Sequence, residues 1–174
     1  MNIERLNSET ATARVPQLTV LLQNAVDSGG SIGFLPPLSD KEAGEYWHEV
    51  VSALDTPYRI LLIATEGEDV TGTVQLDMAS RANGSHRAEV CKLMVHTRHR
   101  GKGIARALMN SIEAEARSVK RTTLILDTRE GDPSERLYTK LGYIRAGSVP
   151  QYARSADDSL HATVFMYKLL GMDS

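Results

Sequence analysis

Two groups of residues in this sequence have the types and spacing that chemistry asks for. The first is the run Arg98-His99-Arg100-Gly101-Lys102-Gly103-Ile104-Ala105-Arg106, which follows a predicted strand and opens a predicted helix. Two glycines let a backbone come close to a ligand, and the first amides of a helix have no partner within it, so they face outwards as anion donors. Arg98, Arg100, Lys102 and Arg106 set fixed positive charge beside those donors, with His99 among them. A helix start with a solvated basic face is the plainer reading. In a chain of net charge −2, the cluster points instead to one compact polyanion, a diphosphate, rather than to a long duplex. The second group is a pair of carboxylates. Glu89 lies within a predicted strand, on the face of Cys91 and Leu93 by strand alternation. Apolar neighbours raise a carboxyl pKa towards that of a working base. Asp127 ends Thr123-Leu-Ile-Leu-Asp127, at the carboxyl edge where open α/β sheets bind ligands. Each also has a structural reading: Glu89 as an ion-pair partner of Arg87 or Lys92, and Asp127 as the cap of the next turn.

Other glycine motifs fail on their own terms. A P-loop needs Ser or Thr after Gly-Lys, but Lys102 is followed by Gly103. A dinucleotide fingerprint needs glycine or alanine where Arg106 stands. Gly29-Gly30-Ser31-Ile32-Gly33 has the spacing of a hydrolase nucleophile elbow. It follows a predicted helix and precedes Phe34-Leu35-Pro36-Pro37, whereas an elbow joins a strand to a helix. It reads as a loop that could border a substrate pocket, with Phe34 as an apolar wall. The histidines lack paired metal spacing except His96 and His99, which flank a turn without a carboxylate nearby in sequence, so no metal is expected.

The elements that must position these residues emerge from periodicity. Ile3 to Leu6 is a short strand, and Val15 to Val26 has helical spacing that Gly29-Gly30 ends. Ser39 and Glu42 form a capping box ahead of an apolar stripe from Ala43 to Leu54, closed by Pro57. Tyr58–Thr65 and Val70–Met78 read as a hairpin, and Arg87–Val95 as a third strand after the Asn83-Gly84 turn. A helix from Lys102 to Val119, a strand from Thr122 to Asp127 and a helix with Asp132 at its N-cap and Pro133 at its first position come next. Ile144–Tyr152 and His161–Leu169 close the chain as strands. The order β-α-α-β-β-β-α-β-α-β-β predicts one α/β domain, residues 1–174, with a mixed sheet. Its right-handed crossover from Val95 to Thr123 makes two strands parallel.

Arg100-Gly-Lys-Gly103-Ile-Ala105 resembles the acetyl-CoA signature of the GNAT superfamily of N-acetyltransferases, Gln/Arg-x-x-Gly-x-Gly/Ala, and the element order matches that fold. A narrower likeness, to the bacterial tabtoxin-resistance proteins, is carried by Gly33-Phe34, Arg87-Ala88-Glu89-Val90, Lys92-Leu93-Met94-Val95, Leu126-Asp127-Thr128 and Leu160-His161-Ala162-Thr163. The helix around Trp47 and the His96-Thr97 turn depart from that pattern. The resemblance implies a bulged strand splayed from its parallel neighbour, with main-chain groups of Leu93, Met94 and Val95 facing the pantetheine arm of acetyl-CoA. It implies that Arg100 to Arg106 hold the pyrophosphate, that Ser134 and Tyr138 lie along the far wall, and that Tyr138 is the proton donor. Without it, a tyrosine on a helix reads as core. The narrower likeness gives the base role to Glu89 and Asp127. Transfer to a lysine-like amine needs such a base, because at neutral pH deprotonating it costs roughly 4–5 kcal/mol. A backbone N–H near Met94 or Val95 would steady the developing oxyanion. The acceptor this implies is a small primary amine, a toxin or antibiotic-like amino acid among the options; a peptide amine and a silent acyl-CoA sensor are the rivals.

Composition bounds the rest. At 41% hydrophobic and 24% charged residues, 174 residues suit one soluble domain. The longest apolar run, Ile60 to Ala64, is far short of the roughly 20 residues that cross a bilayer, and the first residues lack a signal-peptide pattern. Cys91 stands alone, which fits a reducing cytoplasm. No membrane or nucleic-acid partner is expected, and a monomer and a homodimer are both compatible with the sequence.

Overall fold

A computed structural model describes residues 1–171. The elements run β1 (Asn2–Leu6), α1 (Ser8–Asp27), α2 (Asp40–Ala53), β2 (Arg59–Glu66), β3 (Asp69–Met78), β4 (Arg87–Val95), α3 (Ile104–Ser118), β5 (Thr123–Arg129), α4 (Pro133–Lys140), β6 (Ile144–Arg154) and β7 (Leu160–Leu169), with single 3₁₀ turns at Ala82–Gly84 and Thr97–His99. This is the expected order. The seven strands form one mixed sheet, β1-β2-β3-β4-β5-β7-β6, in which only β4 and β5 run parallel.

Strand alternation sends apolar side chains to both faces, and each face has its own core. On one side Ile60, Leu62, Val74, Leu76, Leu124 and Leu126 pack against Ile104, Leu108, Met109 and Ile112 of α3, with Tyr138 of α4. On the other, Leu61 and Ile63 meet Leu18, Leu21 and Leu22 of α1 and Ala43, Trp47 and Val50 of α2. Gly72 of β3 is where α3 comes closest. A Cβ there would lie 2.9 Å from the Met94 carbonyl oxygen, 3.1 Å from Leu108 Cδ1 and 3.2 Å from Ile104 Cγ2, so only glycine lets the start of α3 sit down on the sheet.

Two helix starts and one cap differ from the sequence reading. The first helix begins at Ser8 rather than Val15, because Asn7 and Thr10 form a capping box and Pro16 is accommodated inside the helix. The third helix begins at Ile104, not Lys102: Gly101 and Gly103 adopt φ of 80° and 81°, outside the helical region. Asp132 is the N-cap of α4 by position, yet its side chain makes no capping bond; it lies 3.8 Å from Arg129 Nε instead.

Candidate active site

β4 and β5 pair only from Arg87 to Glu89, opposite Thr123 to Ile125, and then separate. The cause is in β4. Thr73 of β3 pairs with Met94 and Gln75 with Cys91, so Lys92 and Leu93 together stand opposite the single Val74. Lys92 takes the left-handed conformation, φ 53°. Such a bulge bends its strand and increases the local twist, which carries Leu93 to Val95 away from β5. The splay expected from the family resemblance is therefore built by one extra residue.

The bulge also exchanges the faces of the strand. Ala88 and Val90 belong to the core beneath α3; beyond Lys92 it is Leu93 and Val95 that pack there, while Met94 joins the α1/α2 core. Leu93 is thus on the face opposite Glu89, contrary to the uninterrupted alternation assumed from sequence. Glu89 pairs with Ile125, and Asp127, two residues further along β5, is on the same face opposite Phe165 of β7. The two carboxylates flank the opening on its α1/α2 side.

Both carboxyls are open to water but ringed by protein. Burial raises the pKa of Glu89, and the negative charges of Asp127 and Asp77 add to the rise while Lys92 opposes it. Burial raises Asp127 as well, again against Lys92. Neither carboxylate makes an ion pair among the described residues, so the bland role anticipated for Glu89 is absent there. Tyr138 approaches from the other side of the sheet. It is 7% exposed, and burial together with the charges of Asp127 and Cys91 drives its phenol well above its ordinary pKa. Its ring lies in the α3-side core, 5.9 Å from that of Tyr143. Ser134, one residue into α4, hydrogen-bonds Thr128 at 2.6 Å and so ties the helix to β5.

The edge of β4 that faces the opening is only partly satisfied. The amide of His96 donates to Thr71 of β3 at 2.9 Å, so by alternation the peptide groups of Val95 point away from β3 and those of Met94 towards it. Of the main-chain groups named from the resemblance, those of Val95 point away from β3, those of Met94 point towards it, and Leu93 lies within the bulge. Arg100 Nε donates to the Val95 carbonyl at 3.2 Å, and its terminal nitrogen reaches Ser28 Oγ at 2.8 Å. Beyond Arg100, the first helical bond of α3 runs from Ala107 to Gly103. The amides from Gly101 to Arg106 have no protein partner among the described residues, and nothing lies within 4 Å of the positions a Cβ would take on Gly101 or Gly103. Lys102 reaches Glu66 at 3.3 Å and His99 reaches the same carboxylate at 3.2 Å, so His99 does have the acidic neighbour that the sequence did not reveal. Among the described residues no three His, Cys, Asp or Glu side chains gather as a metal set.

On the α1/α2 face, a cleft of about 300 Å³ is lined by Tyr46, Glu49, Arg59, Asp77, Glu89, Cys91 and Lys92, among others. Arg59 is paired with Asp77 at 2.9 Å, and Tyr46 accepts a hydrogen bond from Gln75. Phe34 backs the cleft without lining its inner surface, its ring edge-on to Tyr46 at 5.3 Å. Burial pushes the Cys91 thiol up to about 11. Lys92, Arg59, Asp77 and Tyr46 escaped the sequence reading as site residues. The signal for Lys92 was present: inward apolar positions change parity between Val90 and Leu93, which marks an extra residue between them.

An unpaired strand edge leading to unpartnered amides and basic side chains suits an extended molecule that ends in phosphates. The model of the acetyltransferase (GNAT) family matches residues 30–143, a span that holds Phe34, Glu89, the glycine loop, Asp127 and Tyr138. An uncharacterized N-acetyltransferase of Azospirillum brasilense is 30% identical over 132 residues, which is 75% of this chain and 76% of that protein. In fold, the ribosomal-protein-alanine N-acetyltransferase of Brucella melitensis superposes with a TM-score of 0.80 at 23% identity, covering 98% of this chain and 100% of that one. The Salmonella typhimurium protein yncA, solved with its cofactor acetyl-CoA, superposes at 0.81 with 20% identity, covering 100% and 96%. No helix among the described residues is long and apolar enough to cross a membrane. The sequence match over the segment that carries the site places this chain in the GNAT family of acetyltransferases.

Proposed function

We propose that the protein transfers the acetyl group of acetyl-CoA to the primary amine of a small molecule. The observation that carries this reading is the opening between β4 and β5, with Glu89 and Asp127 on one side of the sheet and the Tyr138 phenol on the other. An acetyl thioester supplies an activated carbonyl carbon and a thiolate leaving group. Everything else falls to the chain. The Val95 amide and the unpartnered amides from Gly101 to Arg106 hold the pantetheine arm and the diphosphate, with Arg100, Lys102 and Arg106 supplying positive charge. Glu89 or Asp127, each with a raised pKa, takes a proton from the amine as its nitrogen joins the acetyl carbon and the carbon–sulfur bond breaks. Tyr138, protonated throughout the neutral range, gives a proton to the departing thiolate.

The cleft volume, at the lower end for ligand pockets, supports a small acceptor over a peptide chain. The likeness of Leu160-His161-Ala162-Thr163 and its companion segments to tabtoxin-resistance proteins supports a toxin or antibiotic-like amino acid, and hence detoxification in the cytoplasm. Release of free CoA thiol from acetyl-CoA, followed against a panel of small amines and short peptides, tests the reading. Turnover with small amines that falls in Asp127→Asn and Glu89→Gln supports it. Turnover confined to peptides moves the acceptor to that class. CoA binding with no turnover at all identifies a silent acyl-CoA sensor.

A further inference from the structure

The cleft holds two cations, and they differ in how they are used. Arg59 is committed to Asp77. Among the described residues Lys92 makes no ion pair with a carboxylate. Its Nζ donates one hydrogen bond, 2.6 Å, to the Ile32 carbonyl and lies 5.8 Å from the ring centroids of both Phe34 and Tyr46. Its charge reaches both Glu89 and Asp127, lowering the pKa of each, yet it forms an ion pair with neither among the described residues. An ammonium has three donors, so two remain for another partner. An aromatic ledge and a carbonyl fix the ammonium at the cleft wall while the bulge brings its backbone to the mouth of the β4–β5 opening.

Lys92 and Glu89 line the same cleft and Asp127 stands on the same face of the sheet, so a half-buried cation and two carboxylates border one space without pairing among the described residues. We infer that Lys92 reads a carboxylate on the acceptor, and that the acceptor is therefore an amino acid, its ammonium directed at Glu89 and Asp127 and its carboxylate at Lys92. This rests on the small-amine reading above and narrows it. Such a molecule pairs with the cation and with a carboxylate at once, whereas a simple amine leaves the Lys92 ammonium unpaired in a partly desolvated site. Lys92 enters as a specificity-determining residue and takes no part in moving protons.

The test compares common L-amino acids, each paired with its primary carboxamide, by thiol release in the wild-type protein and in Lys92→Met, Lys92→Gln and Lys92→Arg. Within a pair the carboxamide lacks only the negative charge, and the intrinsic reactivity of its amine cancels when the acid-to-amide ratio is compared between proteins. The wild type should favour the acid by about tenfold or more in kcat/KM, chiefly through KM. That ratio should fall towards one in Lys92→Met and Lys92→Gln and recover in Lys92→Arg. Calorimetric binding of CoA reports whether each variant is folded, and Lys92→Gln keeps a donor for the Ile32 carbonyl if Lys92→Met does not fold. An acid-to-amide ratio that is the same in the wild type and in Lys92→Met overturns the inference and leaves the small-amine reading standing. So does an acid preference that survives in Lys92→Gln. Absence of turnover with either member of every pair, and with simple amines, overturns both.

Discussion

Glu89 and Ile125 are the last residues to pair between β4 and β5, and the loss of pairing beyond them organises the site. Asp127 is two residues beyond Ile125 on the same face, so the carboxylates stand on either side of the point where the sheet opens. Because β4 turns away at Lys92, no ladder forms between Cys91 and Asp127, and the backbone edge there is left for a ligand.

Asp127→Asn and Glu89→Gln should each lower kcat by about 10²-fold or more while leaving CoA affinity largely unchanged. Steady-state thiol release alongside calorimetry separates the two effects. The wild-type rate should rise with pH through a value above the ordinary carboxylate range, since the working base must lose its proton and burial makes that harder.

The same substitutions carry a stability signature. A carboxyl with a higher pKa in the fold than in the unfolded chain binds its proton more readily when folded, so stability declines as pH rises from the unfolded value through the raised one. Removing that charge should raise Tm at neutral pH, and the gain should vanish below about pH 4. Thermal melts of wild type and Glu89→Gln across that range check the sign.

Tyr138→Phe should lower kcat by about 10²-fold with little change in KM for either substrate. Its phenol is held protonated far above neutrality, so an alkaline limb in the wild-type profile near pH 8 or 9 would not arise from this group. Persistence of any such limb in Tyr138→Phe, measured by initial rates, checks that assignment.

In the phosphate loop, Arg100→Ala should weaken CoA binding by about tenfold, since it removes a charge and frees the Val95 carbonyl and Ser28. Gly103→Ala faces open space but must adopt φ 81°, which costs about 1 kcal/mol in the fold and misdirects the following amides. Gly103→Asn should be milder, because asparagine tolerates this conformation better. Urea melts and calorimetry distinguish the fold penalty from the binding penalty.

Gly72→Ala should destabilise the protein by about 1–3 kcal/mol, because its methyl would meet the Met94 carbonyl and the first turn of α3. A Tm that stays at the wild-type value would mean that α3 can lift from the sheet.

The element order was legible because each segment carries its own period and stop signals. The glycine loop was legible because Gly101 and Gly103 sit between a strand pattern and a helix pattern. Less legible was the bulge. Uninterrupted alternation would set Lys92 on the inward face with Ala88 and Val90, and only the shifted parity of Val90, Leu93 and Val95 betrays that the strand changes faces there. The start of α1 was obscured by Pro16, which masks a helix already capped at Asn7. The cleft beside α2 was hardest to read, because Tyr46, Arg59, Asp77 and Lys92 come from four separate elements and meet only after the sheet has formed. No local pattern records a meeting of that kind.

The change of face at Lys92 separates two tasks in space. In the proposed reading the nucleotide end is held by the tail of β4 and the start of α3, whereas the incoming amine meets Glu89, Lys92 and Asp127 of the sheet against a wall that α2 and the loop before it supply. Exchanging residues 30–38 and the inward side chains of α2 between such proteins should therefore reshape the room offered to the amine while sparing the half that receives the nucleotide, a division of labour suited to shuffling by recombination.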